Sequence, residues 1–419
     1  MNNRTVRRSV LISGGSIAGL TLAYWLRRYD FDVTVVERAP TPRPGGQAVD
    51  LRGVAKEVAE RMGIMPEIDR ARVHENGLAY VDKTGAWSAR MPAELFDGEG
   101  AVAGIEILRG DLTEILYAAA QSGVEYIFDD TITGMREVSD GVVVSFRHRA
   151  SRVFDVVVGA DGLHSTVRKL AFGPEADFVH HLGAYMAYFT VPVDGLGLTD
   201  WFQLHNAPGG KLVAVRPEGP STAKAMFGFK ATDLVYDRHD VEGQKRILAE
   251  TFAEMGWLAP RLLAGMEHAP DFFFDTISQT RMDDWSRGRI VLVGDAGYCG
   301  SPLSGNGTAM AMVGAYVLAG ELARSRGDHH AAFTGYQQQL RPYVTECQKL
   351  PPGGVNGFLP SSRAAIRMRN LSVRMFTSTP LRGLMAKSMQ KADSIVLTDY
   401  TVFEPARQPA ASNIPPTSS

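Results

Sequence analysis

Val10-Leu11-Ile12 is an unbroken apolar run without polar alternation, as expected of a strand covered on both faces. A Gly-rich turn follows directly. Leu20, Leu22, Ala23, Tyr24 and Leu26 then supply an apolar helical face, and the β-branched run Val33-Thr34-Val35-Val36 ends at Glu37. The pattern predicts a βαβ unit of ~30 residues with an acid ~20 residues beyond the glycines. Two more strands of the buried type are predicted at 153–160 and 289–293, each running into a Gly/Asp turn.

The intervening pattern predicts a short strand at 47–51, a helix over 54–62 closed by Gly63, and a β-hairpin over 73–90. A helix is expected from Arg109, with Asp111 as N-cap and Glu114 completing a capping box. Residues 124–134 and 142–147 are strand-like. From 178 to 230 the texture changes to short aromatic strands at 185–193, 201–205, 212–216 and 225–230, with a turn at 206–210, reading as an antiparallel sheet. Helices are expected over 241–255 and 308–324, a strand over 272–277, and a helical run over 362–391 that Pro380 interrupts. The expected fold is α/β: a Rossmann-like dinucleotide lobe, an inserted antiparallel-sheet lobe and a long C-terminal helix. The first lobe is discontinuous, comprising 1–72, 101–177 and 276–350. A hairpin at 73–100 joins the second lobe at 178–275, followed by a C-terminal helical segment at 351–405 and a frayed tail at 406–419.

The 419 residues are 45% hydrophobic and 21% charged, ordinary globular values that allow two or three lobes. The near-neutral net charge of -2 carries no basic excess for nucleic acid. Cys299 and Cys347, the two cysteines, make neither a disulfide framework nor a metal pattern. No apolar run approaches the ~18 residues of a membrane span. Arg7-Arg8 loosely resembles an export signal, but the apolar stretch after it is needed as the first strand, so a cytoplasmic protein is expected.

Three turns carry chemistry. In the first, Gly14 permits a tight turn, Gly19 allows the helix to approach the strand, and the amides around Ser16, Ile17 and Ala18 open a helix N-terminus suited to a pyrophosphate. Ser16 replaces the usual middle glycine. Glu37, followed by Arg38, is placed to accept from ribose hydroxyls. The second turn is Gly159-Ala160-Asp161-Gly162, continuing to Arg168. The third is Gly294-Asp295-Ala296-Gly297, followed by Pro302 and Gly305-Asn306-Gly307 ahead of a small-residue helix.

These motifs, in this order and spread over ~300 residues, resemble the class A FAD-dependent monooxygenases, the superfamily of para-hydroxybenzoate hydroxylase. Within it the chain looks most like the tetracycline-inactivating and antibiotic-biosynthesis monooxygenases. The resemblance implies that Gly14, Ser16 and Gly19 hold the FAD pyrophosphate and Glu37-Arg38 the adenosine ribose. Asp161-Gly162 would serve both FAD and the nicotinamide cofactor, and Arg168 would close that motif. Asp295 would hold the ribityl chain, and Pro302 with Gly305-Asn306-Gly307 would lie under the isoalloxazine. Arg109 matches an arginine that reaches FAD. The stretch from Arg43 through Gln47 to Asp50 resembles a segment whose arginine is linked to NADPH and whose aspartate is linked to FAD. Two departures stand out: Gly297-Tyr298 occurs where the family often has histidine, and Gly305-Asn306-Gly307 where Gly-Gln-Gly is common.

The implied reaction is hydroxylation of an aromatic, phenolic or enol-containing natural product, polycyclic in shape, through a flavin hydroperoxide. FAD would be the resident cofactor, with NAD(P)H a transient co-substrate and dioxygen the oxidant. Alternatives are Baeyer–Villiger oxygen insertion beside a ketone and a flavin-binding protein without turnover. No catalytic triad is expected. Substrate contacts are sought on the inserted strands at Tyr188, Gln203, His205, Arg216 and Phe227, with His205 and Arg216 the strongest polar candidates. His164, His180 and His181 read as structural or exposed. A monomer or weak dimer is expected.

Overall fold

The computed structural model describes residues 7–42, 45–93, 105–232, 234–378 and 394–405. The first βαβ unit is β1 (Ser9–Ser13), α1 (Ile17–Arg28) and β2 (Asp32–Glu37). The chain continues through β3 (Ala48–Asp50), α2 (Val54–Met62), α3 (Met65–Arg70), the hairpin β4 (Gly77–Val81) and β5 (Trp87–Pro92), β6 (Glu106–Leu108), α4 (Arg109–Ala120) and β7 (Val124–Phe128). A meander of β8 (Ile132–Val138), β9 (Gly141–Phe146) and β10 (Arg152–Phe154) precedes β11 (Val156–Gly159) and α5 (Thr166–Ala171). The single strand expected over 124–134 is thus two, broken where Asp129 adopts a positive φ of 54°.

The second lobe comprises β12 (Val179–Pro192), β13 (Phe202–Ala207), β14 (Lys211–Pro217), β15 (Thr222–Lys230), α6 (Val241–Phe252), α7 (Ala259–Met266) and β16 (Phe273–Thr280). The chain returns through β17 (Ser286–Arg287), β18 (Ile290–Leu292), α8 (Asp295–Tyr298), α9 (Gly307–Arg324), α10 (His329–Cys347), α11 (Gly354–Phe358) and α12 (Arg363–Ser378).

In the first lobe a six-stranded sheet runs β17-β18-β11-β1-β2-β7. All neighbours are parallel except β17. Register sets Ser13 beside Gly159 and Gly159 beside Leu292. Strand ends far apart in sequence therefore finish side by side, which places the three Gly-bearing turns along one edge, where open α/β sheets take ligands. Apolar β1, β11 and β18 are buried on both faces. Helix α9, rich in Ala and Gly, packs against α1 and α10 and is itself almost wholly buried.

The second lobe carries a seven-stranded sheet, β16-β12-β15-β14-β13-β4-β5. It is antiparallel except where β13 meets β4, because that hairpin arrives from an earlier excursion of the chain. One face holds Phe189, Val213, Val215, Phe227 and Phe229, packed with Leu248 and Phe252 of α6 and Leu262 of α7. The other holds Met186, Leu204, Leu212 and Met226, and turns toward Leu303 of the first lobe and Phe358 of α11.

The C-terminal part touches both lobes. On α12, Arg369 stacks 3.8 Å over the Tyr80 ring and donates to Asn206 at 2.7 Å. Residues 394–405, expected to be helical, instead cross the first lobe with one short turn, Thr401–Phe403. Tyr400 is fully buried there, its hydroxyl 2.6 Å from Glu321 and 2.7 Å from Gln339. Gly320 makes room for that ring: a Cβ would stand 2.2 Å from it. Pro380 and the rest of the expected helix to 391 lie outside the described residues. No described helix is long and apolar enough to cross a membrane.

Candidate cofactor and substrate site

Gly14, at φ 111°, turns β1 against the second turn so closely that a Cβ would lie 2.4 Å from the Ala160 carbonyl oxygen. At Gly19 a Cβ would lie 1.9 Å from the Gly14 oxygen, so the helix meets the turn backbone to backbone. Ser16 occupies the N-cap of α1 but its side chain caps no amide. Its hydroxyl instead accepts from Arg109 Nη2 at 3.1 Å. The α1 N-terminus thus offers first-turn N–H groups, a positive dipole end and a neighbouring guanidinium. Buried Ile17 and Ala18 fix that turn. Glu37 binds the Gly15 amide with Oε2 (2.8 Å) and the Ala39 amide with Oε1 (2.9 Å), and Arg38 beside it is exposed.

Asp161 is placed differently from the ribose acid. Its carboxylate accepts from Ser165 Oγ (2.5 Å) and from the amides of Thr166 (2.8 Å) and Val167 (3.1 Å). It is a cap for α5. Burial pushes its carboxyl pKa up, partly opposed by those hydrogen bonds. This carboxylate therefore builds the second turn, while Gly162 beside it opens onto free space. Arg168 joins the second turn to the third. Its fully buried guanidinium donates to the carbonyls of Ala296 (2.8 Å) and Leu163 (2.5 Å).

Gly294, at φ 65°, approaches Ala18 closely enough that a Cβ would stand 3.1 Å from the alanine methyl. Asp295 beyond it is open to the cleft while protein crowds its other sides. That crowding pushes its carboxyl pKa up, with Cys299 and the charge of Arg109 pulling the other way. Arg109 therefore lies between the first turn and the third. Pro302 and Gly305 are exposed, Asn306 is buried and donates to the carbonyls of Ser304 (2.9 Å) and Cys347 (3.3 Å), and Gly307 starts α9 with no side-chain cap. Tyr298, in the place of the family histidine, is buried against Tyr336, their hydroxyls 2.9 Å apart.

The segment before α2 runs between the α4 N-terminus and the third turn. The Gln47 and Gly45 carbonyls accept from the amides of Arg109 (3.0 Å) and Gly110 (2.7 Å). This satisfies the α4 N-terminus through backbone, so the helix starts at Arg109 and Asp111 falls inside its first turn rather than at the expected cap. Asp50 pairs with Arg52 at 2.8 Å and faces Gly305, where a Cβ would lie 3.8 Å from Oδ2. Arg43 lies outside the described residues.

Of the expected substrate residues, Tyr188 stands on the sheet face that turns to Leu303. Gln203, His205 and Phe227 stand on the other. Gln203 pairs with Val215, His205 pairs with Val213 and hydrogen-bonds the Val81 carbonyl (3.1 Å), and Phe227 packs on Phe252. Helices α6 and α7 pack on that face, so these residues point away from the face that turns to Leu303. Arg216 is on the inward face but forms ion pairs with Glu75 and Glu106. Burial holds the Glu75 carboxyl above its ordinary range. The sequence reading missed this network, as it missed Lys224, buried between Asp271 (2.6 Å) and Glu218 (3.6 Å). Hydrophilic residues on otherwise apolar strands were the available signal. His164 lies 3.0 Å from both Glu175 and Asp275.

An FAD binding domain family model matches residues 7–350. An uncharacterised protein of Mycobacterium tuberculosis is 44% identical over 361 residues, covering 84% of this chain and 95% of its own. A flavin-dependent monooxygenase of Legionella longbeachae is 40% identical over 345 residues, covering 81% and 87%. Among solved structures, tetracycline destructase Tet(55) has a TM-score of 0.78 at 37% identity, covering 94% of this chain and 99% of its own. The chain belongs to the class A FAD-dependent monooxygenases and resembles their tetracycline-inactivating members.

Proposed function

We propose that this protein is a single-component, NAD(P)H-consuming monooxygenase that hydroxylates an aromatic, phenolic or enol-containing polycyclic compound. The observation that carries this reading is the meeting of three turns at one sheet edge, opposite an apolar sheet face. The cradle fits FAD: Gly14 and Gly19 let β1, the second turn and α1 meet backbone to backbone, and Arg109 reaches Ser16 at the α1 N-terminus, adding a positive charge beside its first-turn amides. When bound, FAD would take hydride from NAD(P)H and activate dioxygen, leaving the protein to bind, orient and exclude water.

In this reading the first turn of α1 and Arg109 hold the pyrophosphate, and Glu37 accepts from the ribose. Asp295 accepts from the ribityl hydroxyls. Gly305, Asn306 and Gly307 lay backbone and the α9 dipole along the ring, favouring negative charge there. The Gly45–Asp50 segment borders the nicotinamide's approach. The test supplies FAD-loaded protein with NADPH, labelled dioxygen and a panel of polycyclic phenols. One phenol is expected to accelerate NADPH oxidation and gain one labelled hydroxyl. Oxidation of the compound without oxygen gain overturns the reading in favour of a dehydrogenase or oxidase; a ring-expanded product transfers it to Baeyer–Villiger chemistry.

A further inference from the structure

Helix α12 packs on the β4–β5 hairpin by one face. Val373 lies with Ala89 and Met91 of β5, Arg369 covers the Tyr80 ring, and Arg374 Nε donates to the Ser88 carbonyl at 2.6 Å. The opposite face is apolar and exposed: Met368 is 69% accessible, Leu371 57% and Met375 52%. At 3.6 residues per turn these three fall within about 60° of the helix circumference. Arg363, Arg367 and Arg374, all exposed, fall within the adjoining arc of about 40°, so three guanidinium groups line one edge of the stripe. The helix carries no acid to neutralise them. Trp87, on the strand against which α12 packs, is a further exposed large apolar side chain, 40% accessible.

The charge pattern limits what can cover this face. Between Glu346 and Asp393 lie eight of the chain's 44 Lys and Arg and none of its 46 Asp and Glu. A second copy of α12 laid on the first would set arginine against arginine. The next stretch of chain, 379–393, is basic too, with Arg382, Lys387 and Lys391 against Asp393 alone. Neither complements the face, whereas an anionic surface does. Three apolar side chains over about 10 Å of helix are far from the ~20 residues a side of a stable protein interface. A lipid surface asks for less: apolar side chains that enter the acyl boundary, and cations that stay with the headgroups.

We propose that the outward face of α12 docks on an anionic lipid surface, with Met368, Leu371 and Met375 entering the boundary between headgroups and acyl chains and Arg363, Arg367 and Arg374 meeting the lipid phosphates. The helix lies along the surface and does not cross it, because its other face is committed to β5. Each arginine at such a surface strengthens partitioning about five-fold, so attachment is reversible and weakened by salt.

The test sediments the full chain with vesicles of phosphatidylcholine, alone or mixed with phosphatidylglycerol, at low and high salt. The mixed vesicles are expected to retain the protein, neutral ones to retain it at least about ten-fold less, and high salt to release it. Arg363→Gln combined with Arg367→Gln is expected to weaken partitioning about 25-fold, and the corresponding pair of lysines to preserve it. Met368→Gln combined with Leu371→Gln is expected to cost about ten-fold or more. All these side chains are exposed, so Tm should stay unchanged. No retention on the mixed vesicles, equal retention on neutral ones, or retention untouched by both glutamine pairs would overturn the proposal. Tighter retention on poly-glutamate than on vesicles would overturn it in favour of an acidic protein, and a dimer in solution that Leu371→Gln dissociates would overturn it in favour of a second copy of this chain.

Discussion

Asp161 and Asp295 look alike along the chain, each an acid just past a buried parallel strand and beside a glycine, yet they are placed differently. Asp161 bends back onto Ser165, Thr166 and Val167, so its oxygens serve a helix of its own segment. Asp295 is the first residue of a four-residue helix, and Gly294 at φ 65° swings it toward the cleft instead. Burial raises the carboxyl pKa of both, but the hydrogen bonds opposing it come from the turn in one case and from Cys299 in the other. The immediate neighbours of each acid decide its role: a serine four residues on provides a cap, whereas a glycine just before provides an outlook. The first acid builds the site and the second is available to use it.

Substitutions separate these roles. Arg168→Met should have the largest effect, because it leaves the buried carbonyls of Ala296 and Leu163 unpaired and parts the two turns. A loss of about 3 kcal/mol in denaturant unfolding is expected, together with weak FAD uptake. Asp295→Ala should lower FAD affinity by about 10- to 100-fold with apoprotein Tm unchanged or slightly raised. Asp161→Ala should do the reverse, costing about 1–2 kcal/mol of apoprotein stability through the lost cap while FAD affinity of the folded protein changes little. If Asp161→Ala lost affinity without losing stability, the contrast between the two acids would be void.

The smallest effect concerns His164, four residues before Arg168. Hydrogen bonds to Asp275 and then Glu175 raise its pKa from 6.5 to about 9. A histidine raised in the fold contributes stability that is full below pH 6.5 and is lost as pH rises through about 9. His164→Gln should flatten the decline of Tm across that window and leave FAD affinity at pH 6 untouched. An unchanged pH profile would mean that this link between the second turn and β16 carries no weight.

Much of the first lobe was legible because glycine has few uses in such places. Gly14 and Gly19 mark backbone contacts that no other residue permits, and strand ends at Glu37, Asp161 and Asp295 marked the edge of the sheet. The second lobe was less legible because both its faces are apolar. Strand alternation separates Tyr188 from Phe227 but does not tell which face α6 and α7 cover, so Gln203, His205 and Phe227 were placed on the wrong side. Long-range pairing was equally hidden: nothing local to Leu78 or Phe202 announces that β4 runs parallel to β13. The Arg216 network needs Glu75 and Glu106 from other elements, and Asp111 lost its expected cap because the distant Gly45 and Gln47 carbonyls took the α4 amides.

If the three turns form one FAD site, the apoprotein should bind the whole dinucleotide and not its flavin half alone. Apoprotein is titrated with FAD, following flavin fluorescence, in parallel with FMN, which lacks the adenosine half. One FAD per chain is expected, with FMN bound far more weakly because the α1 turn and Glu37 would go unused. Failure to bind FAD, or equal affinity for FMN, would mean that the three turns do not make one dinucleotide site.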